Sequence, residues 1–131
     1  MRILIAEDDF VSRKFLFKVL SQYGECDMTV DGIETVEAFA IALESGNPYD
    51  LLCLDIMMPK IDGLKALKAI RELESKKKVK DSKRCKVIMI SALSETEVEF
   101  DSFKREYEVY RIKPVDIEDI VNAMKELKLL S

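Results

Sequence analysis

Four short stretches of this chain end in side chains able to do polar chemistry: Glu7-Asp8-Asp9, Asp55, Ser91 and Lys113. Each follows directly on an apolar run, over residues 3–6, 51–54, 86–90 and 109–112. A carboxylate at the end of a run fit for a dry interior is costly unless something compensates it. Two carboxylates about 4 Å apart repel by roughly 4 kcal/mol at an effective dielectric near 20. Three drive one another's pKa upward unless a cation intervenes. A hard divalent ion, Mg²⁺ or Mn²⁺, answers that problem, because it takes oxygen ligands from carboxylates, water and phosphate. Lys113 adds a positive point charge. Three carboxylates, one divalent ion and one ammonium sum to zero, and such a site can receive a dianionic phosphoryl group. A carboxylate nucleophile, a metal, an ammonium and a hydroxyl suit phosphoryl transfer, which needs positioning and charge stabilisation above all. Asp55 would attack phosphorus and keep the group as an acyl phosphate.

The elements that must hold these groups alternate in type. Short apolar runs over 3–6, 26–30, 51–54, 86–90 and 109–112 read as strands. Between them, helical spacing is carried by Val11/Phe15/Val19 with Leu16/Leu20, by Ile33/Val36/Ala40/Leu43 and by Leu64/Leu67/Ile70/Leu73. Ile117, Ile120, Val121, Met124 and Leu127 mark a last helix, with Asp116 as its N-cap. The stretch 94–104 is weaker and reads as a poorly anchored helix. Five strands and five helices in alternation predict a parallel α/β sheet. Ligands of such sheets bind beyond the carboxyl ends of the strands, and that is where the acids, the serine and the lysine fall.

A length of 131 residues predicts one domain over 1–131, and with nothing left after the last helix for an output domain it reads either as a stand-alone protein or as one module of a longer multidomain chain. The net charge of −4 gives no global field to gather nucleic acid. No apolar run approaches the roughly 20 residues that span a bilayer, and the cytoplasm is the expected location. Cys26, Cys53 and Cys85 are far apart and form no C-x-x-C pair, so all three read as buried reduced thiols. Lys76, Lys77, Lys78, Lys80, Lys83, Arg84 and Lys86 crowd one connection, read as a solvated link or as a docking patch for an acidic partner.

With these residues in view, the chain resembles a response regulator receiver domain, the phosphorylatable half of a two-component pair. Its "LDIMMPKIDG" is similar to the family's D-x-x-M-P-x-x-D-G signature through Asp55, Met58, Pro59, Asp62 and Gly63. Ser91-Ala92, Tyr110 and Lys113-Pro114 follow in the family's order. The resemblance implies a five-stranded sheet of flavodoxin-like order 2-1-3-4-5 and a non-enzymatic signalling switch. It implies Asp55 as phosphoacceptor, and Mg²⁺ held by Glu7, Asp8, Asp55 and the backbone carbonyl of Met57. Strand register selects Glu7 and Asp8 as the acid pair and leaves Asp9 to the next helix N-terminus. Ser91, Ala92, Tyr110, Lys113 and Pro114 would bind the phosphoryl group and switch, with Lys113–Pro114 cis by analogy. The implied donor is a sensor histidine kinase or histidine phosphotransfer protein. The implied output is a downstream protein target met by the face of the fourth helix, fifth strand and fifth helix, with no direct nucleic acid and no membrane insertion.

The chain departs from the family in its long basic stretch and in lacking a Gly-Ala before the fifth strand. Three rivals weigh less. A haloacid-dehalogenase-type phosphatase needs an acid where Met57 stands. A flavin carrier of the same topology wants a Ser/Thr/Gly-rich loop where three acids stand. A docking module that no longer takes phosphate leaves the complete set of polar groups unexplained.

Overall fold

The computed structural model describes residues 1–93 and 106–130. They run β1 (Arg2–Ala6), α1 (Phe10–Leu20), β2 (Glu25–Thr29), α2 (Gly32–Glu44), β3 (Leu51–Leu54), α3 (Gly63–Lys76), a 3-10 turn (Asp81–Lys83), β4 (Lys86–Ser91), β5 (Val109–Ile112) and α4 (Ile117–Glu126). The strands make one parallel sheet of order β2-β1-β3-β4-β5, as expected. The helix count differs: the described residues hold four α-helices and a 3-10 turn instead of five helices, and the helix expected over 94–104 lies outside the described residues. β2 also begins and ends one residue earlier than its apolar pattern suggests. Glu25 pairs with Arg2 in register, while Val30 drops out of the ladder and is part-exposed on the edge of the sheet.

Parity along the strands divides the core. Leu4, Leu52, Leu54, Val87 and Met89 point to the face covered by Phe39 of α2 and by Leu64, Leu67 and Ile70 of α3. Ile3, Ile5, Leu51, Cys53, Ile88 and Ile90 point to the other, against Leu16, Val19 and Leu20 of α1 and Ile120, Ala123 and Met124 of α4. With helices on both faces, all four residues of β3 are buried, which is why central parallel strands read as unbroken apolar runs.

Each α-helix starts on an aspartate whose side chain accepts a backbone N–H three residues on. Asp9 accepts from Ser12 (2.8 Å), Asp31 from Glu34 (2.8 Å), Asp62 from Lys65 (2.9 Å) and Asp116 from Asp119 (2.8 Å). Asp119 returns the bond to the Asp116 N–H, completing a capping box. Such caps contribute about 1 kcal/mol each, and all four sit in loops that follow the carboxyl ends of strands, at the polar rim.

The lysines at 76–83 of the connection from α3 to β4 face solvent, as expected, but the elements it joins are tied by charges folded inward. Arg71 of α3 is buried and donates to Glu74 (2.8 Å), Glu108 (3.1 Å) and the carbonyls of Cys85 and Glu106 (both 2.8 Å). Glu74 accepts from the Cys85 N–H (2.8 Å), and Glu108 accepts from the Val87 N–H (3.0 Å) and from Arg84 (3.2 Å). The network ties α3 to the first residues of β4 and to the approach of β5. Cys53 and Cys85 are buried free thiols, and burial pushes Cys53 up to about 12 and Cys85 well above its ordinary value. Cys26, on the edge strand, is only part-buried, which corrects the expectation for that residue. No helix among the described residues is long and apolar enough to cross a membrane.

α3 ends in a Schellman motif: the Val79 N–H reaches the Glu74 carbonyl (3.0 Å) and the Lys78 N–H the Ser75 carbonyl (3.0 Å). This places Lys78 at φ 57°, a left-handed position usually filled by glycine. Lys78→Gly should therefore stabilise the fold by about 0.5–1 kcal/mol. Urea denaturation at matched pH reads the gain, and a loss would mean that the lysine side chain holds the turn.

Candidate functional site

The site lies where β1, β3, β4 and β5 all end. β1 delivers Glu7 and Asp8, β3 delivers Asp55, β4 ends on Ser91 and β5 leads into Lys113. Glu7 is 1% and Asp55 5% exposed, whereas Asp8 faces solvent. Carboxylate oxygens of Glu7, Asp8 and Asp55 lie within 4.8 Å of one another. Asp9, the third acid of the run, is turned away into the cap of α1, which lowers its pKa through the Ser12 hydrogen bond.

Lys113 is the counter-charge. Its ammonium sits 3.0 Å from Asp55 Oδ2 and also donates to Glu7 Oε1. Burial alone would lower the lysine pKa, but these two bonds outweigh it and hold the ammonium above its ordinary value. The second oxygen of Asp55 accepts from the Met57 N–H (3.1 Å), so the carboxylate is held from both sides. Glu7 is pushed up to about 7, first by burial and then by its hydrogen bond to Asp55. One ammonium thus leaves the acids undercompensated. A set of carboxylate oxygens this close and this short of positive charge fits a hard divalent cation, with Glu7, Asp8 and Asp55 to hold it.

Two features of the cradle are not legible in the sequence. Arg13, on the first turn of α1, donates to the carbonyls of Glu7 (3.0 Å) and Asp8 (3.1 Å), fixing the backbone that aims the acid pair. A basic residue one helical turn after an acidic strand end is the signal that could have found it. The β3–α3 loop is gripped between two glycines. A Cβ on Gly63 would stand 2.1 Å from the Asp55 carbonyl oxygen, and one on Gly32 would stand 2.0 Å from that of Ile61. Gly63 therefore does more than relax a turn: it lets α3 start directly against the backbone of Asp55, where its N–H bonds the Ile56 carbonyl (2.8 Å).

Ser91 is fully buried, and its hydroxyl accepts from the Leu93 N–H (3.3 Å). Tyr110 is half-buried and its hydroxyl donates to the Leu93 carbonyl, so the tyrosine is tied to the loop after β4. Ala92 is exposed. The Lys113–Pro114 bond is cis. All the residues expected at the site thus lie on one rim.

A sequence model described as the response regulator receiver domain matches residues 3–125. The chain is 32% identical over 130 residues to the chemotaxis protein CheY of Treponema pallidum (strain Nichols), covering 95% of this chain and 83% of that protein. It is 38% identical over 96 residues to hybrid signal transduction histidine kinase B of Dictyostelium discoideum, which is 71% of this chain but 5% of the kinase. In structure it is similar to a chain in the crystal structure of the CheX-CheY-BeF3-Mg+2 complex from Borrelia burgdorferi. There the TM-score is 0.79 at 28% identity, covering 97% of this chain and 89% of that one.

Gly63→Ala forces its methyl into the Asp55 carbonyl. Overpacking of this kind costs about 1–3 kcal/mol. The variant should lose that much stability in urea and show a displaced Asp55 amide resonance. An unshifted Asp55 amide with full stability would show that the loop yields freely.

Proposed function

This chain belongs to the response regulator receiver domain family, the signalling switches of two-component phosphorelays, and from that premise we propose that Asp55 is its phosphoacceptor. The observation that carries the reading is a buried carboxylate held by the Lys113 ammonium at 3.0 Å and the Met57 N–H at 3.1 Å. Those two bonds fix the side chain's rotamer before any donor arrives, which is the positioning that phosphoryl transfer requires. In the transfer an Asp55 oxygen forms a bond to phosphorus as the P–N bond of a phosphohistidine breaks, and the imidazole nitrogen keeps the electron pair. Lys113 can then exchange its contact with the carboxylate for one with a phosphoryl oxygen. Glu7, Asp8, Asp55 and the Met57 backbone carbonyl would hold Mg²⁺ or Mn²⁺, which would supply positive charge for the incoming phosphoryl oxygens.

The donor is a histidine kinase or histidine phosphotransfer module, since residues 1–131 contain no histidine of their own. Its likeness to part of a hybrid histidine kinase supports that donor class. Residues 1–131 act as one receiver module, cytoplasmic like the kinase domains that phosphorylate it. The output is a change of binding surface for a downstream protein and not a turnover reaction.

Label from a ³²P-phosphohistidine protein or from acetyl phosphate should enter wild type only with a divalent cation, and should not enter Asp55→Asn. Incorporation that survives both excess chelator and Asp55→Asn would overturn the assignment.

The switch we infer runs from Ser91, Ala92 and Lys113 to Tyr110. Ser91 and Lys113 are already linked, the Lys113 N–H donating to the Ser91 carbonyl at 2.8 Å. A phosphoryl group can draw in both the Ser91 hydroxyl and the Lys113 ammonium, at roughly 1.5–3 kcal/mol for each charge-assisted bond. Turning a 1:99 population to 99:1 takes about 5.5 kcal/mol, so two bonds barely suffice and one does not. Because the Leu93 backbone bonds both Ser91 and Tyr110, movement there changes the β5 face. Ser91→Ala should still accept phosphate but show a reduced phosphorylation-induced gain in partner affinity. Calorimetry at matched phosphate occupancy reads that gain, and an undiminished value removes Ser91 from the switch.

A further inference from the structure

The basic connection between α3 and β4 is not used by the phosphorylation site, and it lies at the opposite end of the strands. Residues 76–86 carry seven basic side chains and one acidic one, a local charge of +6 in a chain of −4. The rest of the molecule therefore carries −10. Lys78, Lys80 and Lys83 are exposed and, among the described residues, make no ion pair. These three line the rim of a groove of about 530 Å³ whose apolar wall includes Leu43, Pro48 and Val79. That volume falls in the range of sites that take a side chain or small ligand, roughly 300–1,000 Å³.

Two acids also line the groove, and both are already engaged. Glu74 is held by Arg71 at 2.8 Å, and Asp50 accepts from the Arg2 N–H at 2.8 Å. Arg71 neutralises Glu74, so the three lysines outnumber Asp50, the one other acid of the lining. Two unlike halves, an apolar wall and a cationic rim, call for a ligand of the complementary pattern.

We propose that this groove is a second docking site, for an acidic peptide segment of another protein that inserts one apolar or aromatic side chain between Leu43, Pro48 and Val79 while its carboxylates meet Lys78, Lys80 and Lys83. A phosphate backbone or an anionic membrane would use the charge and leave the apolar wall empty. Both would also meet repulsion from the −10 remainder as a large surface approached, which a short segment avoids. The site is independent of Asp55: it works through the start of β4, where phosphoryl chemistry works through its end.

The test uses the intact chain and a displayed library of random twelve-residue peptides. Selected peptides should be acidic with a single Phe, Leu, Ile, Trp or Tyr anchor. The tightest should shift the amide resonances of Leu43 and Val79 on titration. Binding should weaken at least roughly tenfold in Lys80→Glu/Lys83→Glu. Replacing the peptide's anchor by glycine should weaken it comparably. Because the charge-reversed protein could misfold, Lys78→Gly serves as the second variant: it removes one rim charge while relieving a left-handed backbone, so its binding should fall as its stability rises. Asp55 labelling by acetyl phosphate should be unchanged in every variant, which separates failure of this site from failure of the phosphoacceptor assignment. The proposal is overturned if no selected peptide distinguishes wild type from Lys80→Glu/Lys83→Glu. It is equally overturned if duplex DNA or vesicles rich in anionic lipid bind this face more tightly than the selected peptides, or if the glycine-anchor peptide binds as well as its parent.

Discussion

One ammonium set between two buried carboxylates governs this molecule. Lys113 follows an edge strand, and Asp55 follows a strand two places away, with β4 between them. Lys113 is tied to the end of that middle strand through its backbone, its N–H donating to the carbonyl of the fully buried Ser91 at 2.8 Å. Burial first, and then the hydrogen bond to Asp55, keep the Glu7 pKa raised in spite of this ammonium. Three carboxylates gathered around one ammonium fit a rim that takes a further cation.

Backbone contacts hold the acids at the spacing that creates this demand. Arg13 clamps the Glu7 and Asp8 carbonyls from α1, and the two glycines let α2 and α3 close on the β3–α3 loop. Asp9 and Asp62 cap the helices that leave the rim. Acid side chains thus serve two purposes within a few residues. Glu7, Asp8 and Asp55 face the cluster, and Asp9 and Asp62 turn back onto helix N–H groups. The difference between Asp8 and Asp9 is one residue of register, not one of chemistry.

That register is legible in the sequence because Ala6 ends an unbroken apolar run, as Leu54 does before Asp55. Burial on both sheet faces makes the central strands plain, and β3 and β5 fall where their runs predict. The edge strand β2 is read one residue late, since an edge has a single neighbour and Val30 looks as apolar as a paired residue. What escapes the sequence is the set of charges folded inward. Arg71, Glu74 and Glu108 sit in stretches dense with charge, so nothing in spacing separates them from a solvated face. Their burial follows from tertiary approach of α3 to the starts of β4 and β5. Gly63 is visible as a signature residue, but its reason, the Asp55 carbonyl 2.1 Å from its missing Cβ, exists only in three dimensions.

The inward network also bears on how far a change at Asp55 can travel. Strands of four to six residues at about 3.3 Å per residue separate the acidic rim from the basic end by roughly 13–20 Å. The Debye length at physiological ionic strength is about 8 Å, so charge added at the rim is largely screened before it reaches the lysines. Electrostatics alone cannot couple the two ends. Packing can, and β5 is the element that touches both: Tyr110 and Lys113 face the rim, while Glu108, just before the strand, is locked to Arg71 and Arg84. Arg71 and Glu108 are each held by more than one partner, Arg71 also by Glu74 and Glu108 also by Arg84 and the Val87 N–H. The start of β5 is thereby tied to α3 and β4, while Tyr110 and Lys113 lie toward its other end, at the acidic rim.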